Sequence, residues 1–335
     1  MNQSHGCAQH ESEHDSERFM PVIPKHAVGA KIIGWGTALP EKVVTNDDLS
    51  KTMDTSDEWI RERTGIERRH VGGSTASLSI ESGRKAIEMA GIDPLSIDAL
   101  VLSTTTPDRT VPATSAAVQH GLGLRCGAFD VNAACSGFVY ALITGHGLIA
   151  MGMRRILVIG TDTLSRITDW TDRNTAILFA DGSGAAVIEA TTGPGQLLGW
   201  DFDADGSLEE LLYAEIGGTL HMEGKEVFRR AVRIMVDSAE KSIKAAGLTT
   251  NEISLVVPHQ ANIRIIEAAC KRLDISMDKA AIVLHETGNT SSASIPLALF
   301  DAVDNSRVKT GDNILLVGFG AGMTAASAVI KWNQS

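Results

Sequence analysis

The chain has 335 residues, of which 43% are hydrophobic and 21% charged, and its formal net charge is −11. This composition is typical of a globular protein with a sizeable core, and no apolar stretch reaches the roughly 18 residues of a membrane span, so we expect a soluble protein without membrane contact. The acidic balance argues against nucleic-acid binding, which requires basic surface.

Residues 1–27 differ in composition from the rest of the chain. They place four histidines among Ser, Glu and Asp and lack the apolar core of a secretory signal. We interpret them as a mobile leader, and the irregular histidine spacing does not predict a metal site. The four cysteines, Cys7, Cys126, Cys135 and Cys270, have no paired spacing, which favours free thiols in a reducing cytoplasm.

An internal repeat organises the chain downstream of the leader. Ala90-Gly91-Ile92, with the apolar residues that follow it, recurs as Ala246-Gly247-Leu248, and residues 156–160 recur as 314–318. A period this long indicates domain duplication, which divides the chain into residues 28–195 and 196–335. Both glycines are predicted to end helices in the left-handed conformation.

The predicted strands favour a layered α/β architecture. They are short, continuous apolar runs such as residues 100–102 and 156–159, typical of strands buried on both faces. Such strands need helices above and below them. We therefore predict two stacked α/β sheets that share a central layer of buried helices, an αβαβα sandwich.

Three polar residues follow predicted strands and could form a nucleophilic site. Cys135 lies where a short apolar strand runs into a long apolar helix, a position that favours thiolate over thiol. His259 and Asn289 follow in Pro258-His259-Gln260 and Gly288-Asn289-Thr290. Taken singly, they would equally fit an inert thiol, a core histidine and a turn residue; together, Cys, His and Asn predict nucleophilic catalysis.

Six strings in a fixed order resemble one known family over residues 30–331. The resemblance is to β-ketoacyl-acyl-carrier-protein synthase III, a condensing enzyme with the thiolase-like fold. It is carried by Asp57-Glu58-Trp59-Ile60 with Arg63-Thr64-Gly65-Ile66, Ala133-Ala134-Cys135-Ser136-Gly137-Phe138, Val257-Pro258-His259-Gln260-Ala261-Asn262, Gly288-Asn289-Thr290-Ser291, and Gly318-Phe319-Gly320-Ala321-Gly322.

The resemblance implies a reaction and a role for each catalytic residue. Acyl-CoA would acylate Cys135, and decarboxylative condensation with malonyl-acyl-carrier protein would give β-ketoacyl-carrier protein, the first step of fatty-acid synthesis. The backbone N–H groups of Cys135 and Ala321 would form the oxyanion hole. His259 and Asn289 would stabilise the enolate; because asparagine cannot act as a base, it favours decarboxylation.

The resemblance also implies substrate contacts. Trp59 and Arg173 would sandwich the adenine of coenzyme A, and Arg63 would meet its phosphate. Asn262 would bond the pantetheine amides beside a channel mouth at Gly224 and Phe228. Coenzyme A enters as substrate, so no cofactor and no metal are expected.

Acyl-chain choice is expected to depend on four pocket residues, Val111, Leu164, Phe179 and Leu220. Val111 lies where family members often have a bulky aromatic that reaches across a homodimer interface. The smaller side chain predicts tolerance of primers longer than acetyl, or branched.

Carrier-protein docking is expected on a basic patch of Arg264, Lys271 and Arg272, with Arg229, Arg230 and Arg233 on a neighbouring helix. Helical surface charge is otherwise ordinary solvation. A second function is open: an acyltransferase of secondary metabolism that passes the acyl group to an oxygen or nitrogen nucleophile would use the same three catalytic residue types.

Overall fold

The structure, a computed structural model, describes residues 28–333; the predicted leader lies outside the described residues. The helices are α1 (Asn46–Ser50), α2 (Asp57–Thr64), α3 (Thr75–Ala90), α4 (Thr114–Gly121), α5 (Gly137–Ala150), α6 (Arg173–Ala176), α7 (Gly224–Ala245), α8 (Ile263–Arg272), α9 (Leu284–Thr287) and α10 (Ser294–Asp304).

The strands divide between two large sheets and two small two-stranded sheets. They are β1 (Ala30–Ala38), β2 (Val43–Thr45), β3 (Arg68–His70), β4 (Ala99–Ser103), β5 (Gly127–Val131), β6 (Arg155–Thr163), β7 (Asp181–Ala190), β8 (Leu197–Asp203), β9 (Leu212–Ala214), β10 (Leu220–Met222), β11 (Leu255–Pro258), β12 (Asn313–Gly320) and β13 (Thr324–Lys331). The first sheet has the order β1-β7-β6-β4-β5 and the second the order β11-β12-β13-β8, while β2–β3 and the hairpin β9–β10 form the small sheets.

The two large sheets repeat one topology. In the first, β4 runs parallel to β6, which pairs antiparallel with β7; in the second, β11 runs parallel to β12, which pairs antiparallel with β13. Gly91 (φ 63°) and Gly247 (φ 70°) both adopt the left-handed conformation after their helices. The duplicated architecture is confirmed, whereas the division at residues 195 and 196 stays a prediction.

The predicted central layer consists of α5 and α10. Helix α5 packs against β4 and β6 on one side and β13 on the other, and α10 lies between β7 and β11. Both helices are almost wholly apolar, which allows them to be buried on two faces. Helices α3 and α4 cover the outer face of the first sheet and α7 that of the second, which completes the αβαβα sandwich.

The site residues lie at the seam between the repeats. Cys135 precedes α5 in the first repeat, His259 directly follows β11 in the second, and Asn289 precedes α10. Between residues 28 and 333, none of the helices is both long and apolar enough to cross a membrane.

Candidate active site

Cys135 lies in a single 3₁₀ turn, Ala134–Ser136, that leads directly into α5. The preceding Ala134 has a φ of 48°, a left-handed conformation that is uncommon for alanine and turns the chain sharply before the thiol. The end of β12 lies against this turn, because a Cβ atom on Gly320 would come within 2.6 Å of the Cys135 backbone N. Only glycine allows the second repeat to approach Cys135 this closely.

Cys135 borders two cavities. A narrow one of about 90 Å³ is also lined by His259, Asn289 and Phe319, so the structure brings the three predicted catalytic residues to one cavity. Its lining also includes Gly224, Phe228 and Asn262. A wider cleft of about 350 Å³ lies beside the same thiol, and its lining includes Leu164, Phe179, Leu220 and the second predicted oxyanion residue, Ala321.

The surroundings of Cys135 act against the sequence-based expectation. Burial raises the pKa of the Cys135 thiol to about 12; a hydrogen bond with the Ser291 side chain opposes this rise, and the nearby carboxylate of Asp162 adds a smaller rise. Desolvation therefore opposes the thiolate that the helix N-terminus was expected to favour.

His259 is also held neutral. The side chain is 1% exposed, and burial lowers the pKa of the imidazole to about 3. Its Nδ1 lies 2.7 Å from the hydroxyl oxygen of Ser294, and the Phe319 ring packs edge-on against it at a centroid distance of 5.4 Å. The ring can therefore offer a hydrogen bond at Nε2 without carrying a positive charge.

Asn289 is oriented by its own segment of chain. Its side-chain Oδ1 accepts a hydrogen bond from the Ser291 N–H at 2.9 Å, and its backbone N–H donates to the Leu178 carbonyl at 2.9 Å. Because the amide oxygen is already used, the NH₂ group is the part that a substrate oxygen can meet.

A buried carboxylate ties the Asn289 segment to the first repeat. Asp162, at the end of β6, is fully buried and accepts hydrogen bonds from the Ser292 N–H at 3.0 Å and the Ser292 hydroxyl at 2.8 Å. Its other oxygen accepts from the Thr105 N–H at 2.7 Å. One side chain of the first repeat thus fixes a loop of the second.

The predicted adenine site forms one cluster around Trp59. The guanidinium carbons of Arg63 and Arg173 lie 4.3 and 4.8 Å from the centroid of its indole ring. Arg173 also donates to the Asp54 carbonyl at 2.7 Å. An adenine that stacks between Trp59 and Arg173 must displace Arg173 from the ring.

Asn262 has two contacts that its predicted role did not include. Its side chain caps α8 by accepting from the Arg264 N–H at 2.9 Å, and its NH₂ group donates to the Arg63 carbonyl at 2.9 Å. A hydrogen bond to pantetheine must therefore share or replace one of these contacts. Gly224 is exposed, and Phe228, half-buried, packs under the guanidinium of Arg264 at 5.7 Å.

Val111 lies apart from the other predicted pocket residues. Its side chain is 81% exposed and is not part of the cleft lining, whereas Leu164, Phe179 and Leu220 are. Its predicted contribution from across a homodimer interface stays a prediction.

The predicted docking residues differ in their charge environment. Arg229 and Arg230 lie 2.7 and 3.7 Å from the carboxylate of Glu226, and Arg233 lies 3.5 Å from that of Asp237, so acidic neighbours offset the arginines of α7. Arg264, Lys271 and Arg272 are exposed on α8, and among residues 28–333 they form no ion pair.

Sequence reasoning assigned no role to Ser291, Ser294 or Phe319, which lie beside the predicted catalytic residues. Ser291 and Phe319 stand inside strings already singled out, two residues after Asn289 and next to Gly320, so position in a motif was an available signal. Ser294 offered no such signal, because its contact with His259 spans 35 residues.

Within the described part of the chain, no group of three or more His, Cys, Asp or Glu side chains could hold a metal ion.

Comparison with known proteins gives the family. Residues 129–206 match the family model for 3-oxoacyl-[acyl-carrier-protein] synthase III, and residues 243–332 match the model for its C-terminal part. A β-ketoacyl-[acyl-carrier-protein] synthase III of Roseiflexus castenholzii is 46% identical over 324 residues, which cover 91% of this chain and 98% of the relative.

Solved structures agree with this result. The 3-oxoacyl-[acyl-carrier-protein] synthase III of Aquifex aeolicus is 41% identical, with a TM-score of 0.89 over 91% of this chain and all of that one. A priming β-ketosynthase of the R1128 polyketide biosynthetic pathway is 34% identical, with a TM-score of 0.87 over 92% of this chain and 98% of that one. The chain therefore belongs to the 3-oxoacyl-[acyl-carrier-protein] synthase III family of thiolase-fold condensing enzymes.

Proposed function

We propose that this chain joins an acyl group from acyl-CoA to malonyl-acyl-carrier protein, with Cys135 as nucleophile and His259 and Asn289 as hydrogen-bond donors. The observation that carries the proposal is that these three side chains line a single cavity. The condensing activity in fatty-acid synthesis is that of the family; the residue roles, the primer and the partners are proposed.

Acylation comes first. The sulfur of Cys135 attacks the thioester carbonyl of acyl-CoA, the bond from that carbonyl to the CoA sulfur breaks, and the thiol proton ends on the departing CoA sulfur. The backbone N–H groups of Cys135 and Ala321 stabilise the oxyanion formed on the way. Because the resting thiol has a raised pKa, proton loss accompanies attack instead of preceding it.

Condensation follows at the acylated cysteine. The malonyl thioester loses CO₂, and its enolate oxygen accepts hydrogen bonds from the neutral imidazole of His259 and the NH₂ group of Asn289. The enolate carbon attacks the acyl-cysteine carbonyl, and collapse of the tetrahedral intermediate releases the Cys135 thiolate, which regains a proton. Neutral donors suit this step, because a positive imidazolium at the same place would bind the malonyl carboxylate and oppose its loss.

The two cavities suggest where each half of the substrate lies. The narrow cavity, bordered by Gly224, Phe228 and Asn262, would admit the pantetheine arm, with the adenine at Trp59 and the phosphate at Arg63. The wider cleft, about 350 Å³ and lined by Leu164, Phe179 and Leu220, would hold the acyl chain. Its volume and the small side chain of Val111 favour primers larger than acetyl.

Partners and compartment are proposed on surface features. Edge strand β5 exposes Phe129, and Asp130 of the same strand accepts from the backbone of Thr114, three residues beyond Val111. Pairing of β5 with its copy in a homodimer would cover this edge and bring Val111 to the partner protomer.

Malonyl-acyl-carrier protein would dock on Arg264, Lys271 and Arg272. Free thiols at the three described cysteines suit the cytoplasm.

Intact-protein mass spectrometry tests the proposal. After incubation with an equimolar mixture of acyl-CoAs from two to eight carbons, the protein should gain one acyl mass, chiefly of four or more carbons, and Cys135→Ala should gain none. Addition of malonyl-acyl-carrier protein should discharge the adduct with release of CO₂ and appearance of β-ketoacyl-carrier protein.

Other outcomes would contradict specific parts. An adduct that persists with malonyl-carrier protein but is discharged by an amine or alcohol would show acyl transfer to nitrogen or oxygen instead of condensation. A strong preference for acetyl-CoA would end the primer proposal and leave the condensing chemistry intact. An adduct on Cys126 or Cys270 would refute the assignment of Cys135 as the nucleophile.

A further inference from the structure

Ser294, the first residue of α10, is the direct hydrogen-bond partner of the His259 ring. Its side chain is fully buried, and its hydroxyl oxygen lies 2.7 Å from Nδ1 of His259. The same oxygen lies 3.3 Å from the backbone nitrogen of Gln260. These two contacts determine where the hydroxyl hydrogen points.

The backbone contact has only one possible direction. An amide N–H donates, so the Ser294 oxygen accepts from Gln260. Gln260 is itself held firmly: its side-chain NH₂ donates to the Pro258 and Ala281 carbonyls, and its side-chain oxygen accepts from the N–H groups of Val283 and Leu284. The N–H that points at Ser294 is therefore fixed in place.

The hydroxyl hydrogen then has one acceptor within reach. Between residues 28 and 333, the only acceptor that the Ser294 hydroxyl meets is Nδ1 of His259. Buried hydroxyl groups are almost always partnered, so Ser294 donates and Nδ1 accepts. A neutral imidazole carries one ring proton, and with Nδ1 as acceptor that proton lies on Nε2.

We infer that Ser294 is a positioning residue that fixes His259 in the Nε2–H tautomer, so that the ring donates to the thioester oxygen of the malonyl substrate and cannot accept the Cys135 proton. The inference rests on the proposed function for the identity of that oxygen. The N-terminus of α10, at which Ser294 lies, acts in the same sense, because its positive end disfavours a second proton on the ring.

The first test reads the tautomer directly. In the full-length enzyme labelled with ¹⁵N-histidine, two-bond ¹H–¹⁵N correlations distinguish a protonated from an unprotonated ring nitrogen, and His259→Gln assigns the resonance. We expect protonated Nε2 and unprotonated Nδ1 in the wild type, and partial or complete transfer of the proton to Nδ1 in Ser294→Ala. A wild-type ring protonated at Nδ1 would overturn the inference without a single rate measurement.

The second test separates the half-reactions. Ser294→Ala should lower the condensation rate of the pre-acylated enzyme roughly 10- to 100-fold, as expected for loss of a well-aligned donor. Acylation of Cys135 by acyl-CoA should stay within about threefold, because the backbone oxyanion hole is untouched. Equal losses in both half-reactions, or none, would contradict the inference.

Ser238→Ala is the matched control. Ser238 is 2% exposed on α7, and its hydroxyl meets that of Ser327 at 2.9 Å, away from His259. It loses a buried hydroxyl as Ser294→Ala does and should change neither half-reaction. Ser294→Cys, a weaker donor of similar size, should fall between wild type and alanine. If the wild-type enzyme neither acylates nor condenses, the proposed function fails, but the tautomer measurement still decides whether Ser294 orients the His259 ring. If Ser294→Ala does not fold, the tautomer of the wild-type enzyme alone decides the role of Ser294.

Discussion

Cys135 and His259 line the same cavity, and burial disfavours the charged form of both side chains, which determines how the thiol should respond to pH. With the pKa of Cys135 raised to about 12, the thiolate fraction rises throughout the neutral and mildly alkaline range. Alkylation of Cys135 by iodoacetamide should therefore accelerate about tenfold per pH unit between pH 7 and 9, without a plateau. Peptide mass spectrometry measures this rate, and Cys135→Ser gives the background at the other cysteines.

A plateau below pH 8 would show that the thiolate is stabilised after all. It would restore the expectation from the helix N-terminus and remove the need for proton loss during attack. An unchanged slope in Asp162→Asn, with a faster absolute rate, would assign part of the raised pKa to that carboxylate, as its position implies.

Asn289 offers an isosteric test of donor chemistry. Asn289→Asp keeps the oxygen that accepts from Ser291 but replaces the NH₂ group with a second acceptor. Condensation should fall by about 100- to 1,000-fold, because a carboxylate repels the enolate oxygen, whereas acylation by acyl-CoA should be largely kept. Single-turnover assays of each half-reaction measure the two effects. Asn305→Asp, at the far end of α10, is the control, and unchanged condensation in Asn289→Asp would reject the donor role.

At the level of single residues, the sequence predicted which three side chains meet at one cavity but not how their surroundings change their pKa values and hydrogen bonds. Cys135, His259 and Asn289 stand in short strings whose residue types directly suggest chemistry. The raised pKa of the thiol depends on burial by both repeats and on Asp162, and the tautomer of His259 depends on Ser294. Neither partner is adjacent in sequence, so no local pattern predicts the effect.

Among the structural elements, the small β2–β3 sheet is joined to α2 and α6, the helices of the predicted adenine site, by the buried side chain of Arg69. Arg69 is fully buried, and its guanidinium donates to the carbonyls of Val44 and Ile177 and to the side chain of Asn46. Burial lowers the pKa of this guanidinium to about 10. Ile177 follows α6, which carries Arg173, and Asn46 in turn donates to Asp57 at the start of α2.

Arg69→Met should therefore destabilise the protein by about 3 kcal/mol, since it leaves three buried acceptors without donors. Urea unfolding measures the loss, and we also expect weaker acyl-CoA binding, because α2 and α6 hold Trp59 and Arg173. Arg68→Met is the matched control: Arg68 is exposed beside Glu286 at 3.3 Å, and its loss should cost no more than about 1 kcal/mol. Equal losses of unfolding free energy in the two variants would contradict the structural role proposed for Arg69.

Helix α8 carries the exposed cations proposed to meet the carrier protein. Arg264→Glu should raise the KM for malonyl-acyl-carrier protein about tenfold or more, while acylation by acyl-CoA changes little, because charge reversal at a docking surface acts on association. Steady-state and single-turnover assays separate the two. Lys244→Glu, an exposed charge reversal at the end of α7, is the control. Equal damage to acylation would mean that Arg264 acts through Phe228 and the channel instead.

For the helices and strands, the internal repeat was the sequence feature that predicted most of the structure. Gly91 and Gly247 marked equivalent helix ends, and the matching apolar runs became the equivalent strands β6 and β12. The β9–β10 hairpin was not predicted, because three-residue strands give too short an alternation to distinguish them from loop.

For the whole molecule, the exposed edge of the first sheet is the surface on which we propose that a second protomer binds. Phe129 on β5 is 38% exposed, and Val111 nearby is 81% exposed. Phe129→Glu should convert the proposed homodimer into monomers, as measured by light scattering during size-exclusion chromatography, because a carboxylate opposes burial of the edge. Leu95→Glu, at a surface leucine that is 56% exposed, is the control. A wild-type monomer, or a dimer that survives Phe129→Glu, would reject this interface.

The layered architecture as a whole followed from the pattern of buried strands and apolar helices. The residue pattern alone could not predict the oligomeric state, since the sequence of an edge strand is the same whether water or another protomer covers it; the homodimer is expected from the family resemblance. The stacking of Arg173 on the Trp59 ring could likewise not be predicted from the sequence, because it joins residues more than 100 positions apart.

The link from Asp162 to Ser292 makes the two repeats depend on each other. Cys135 stands in the first repeat, His259 and Asn289 stand in the second, and the buried Asp162 side chain holds the loop that follows Asn289 against the first repeat. A single repeat expressed by itself would contain neither the full set of three residues nor this contact.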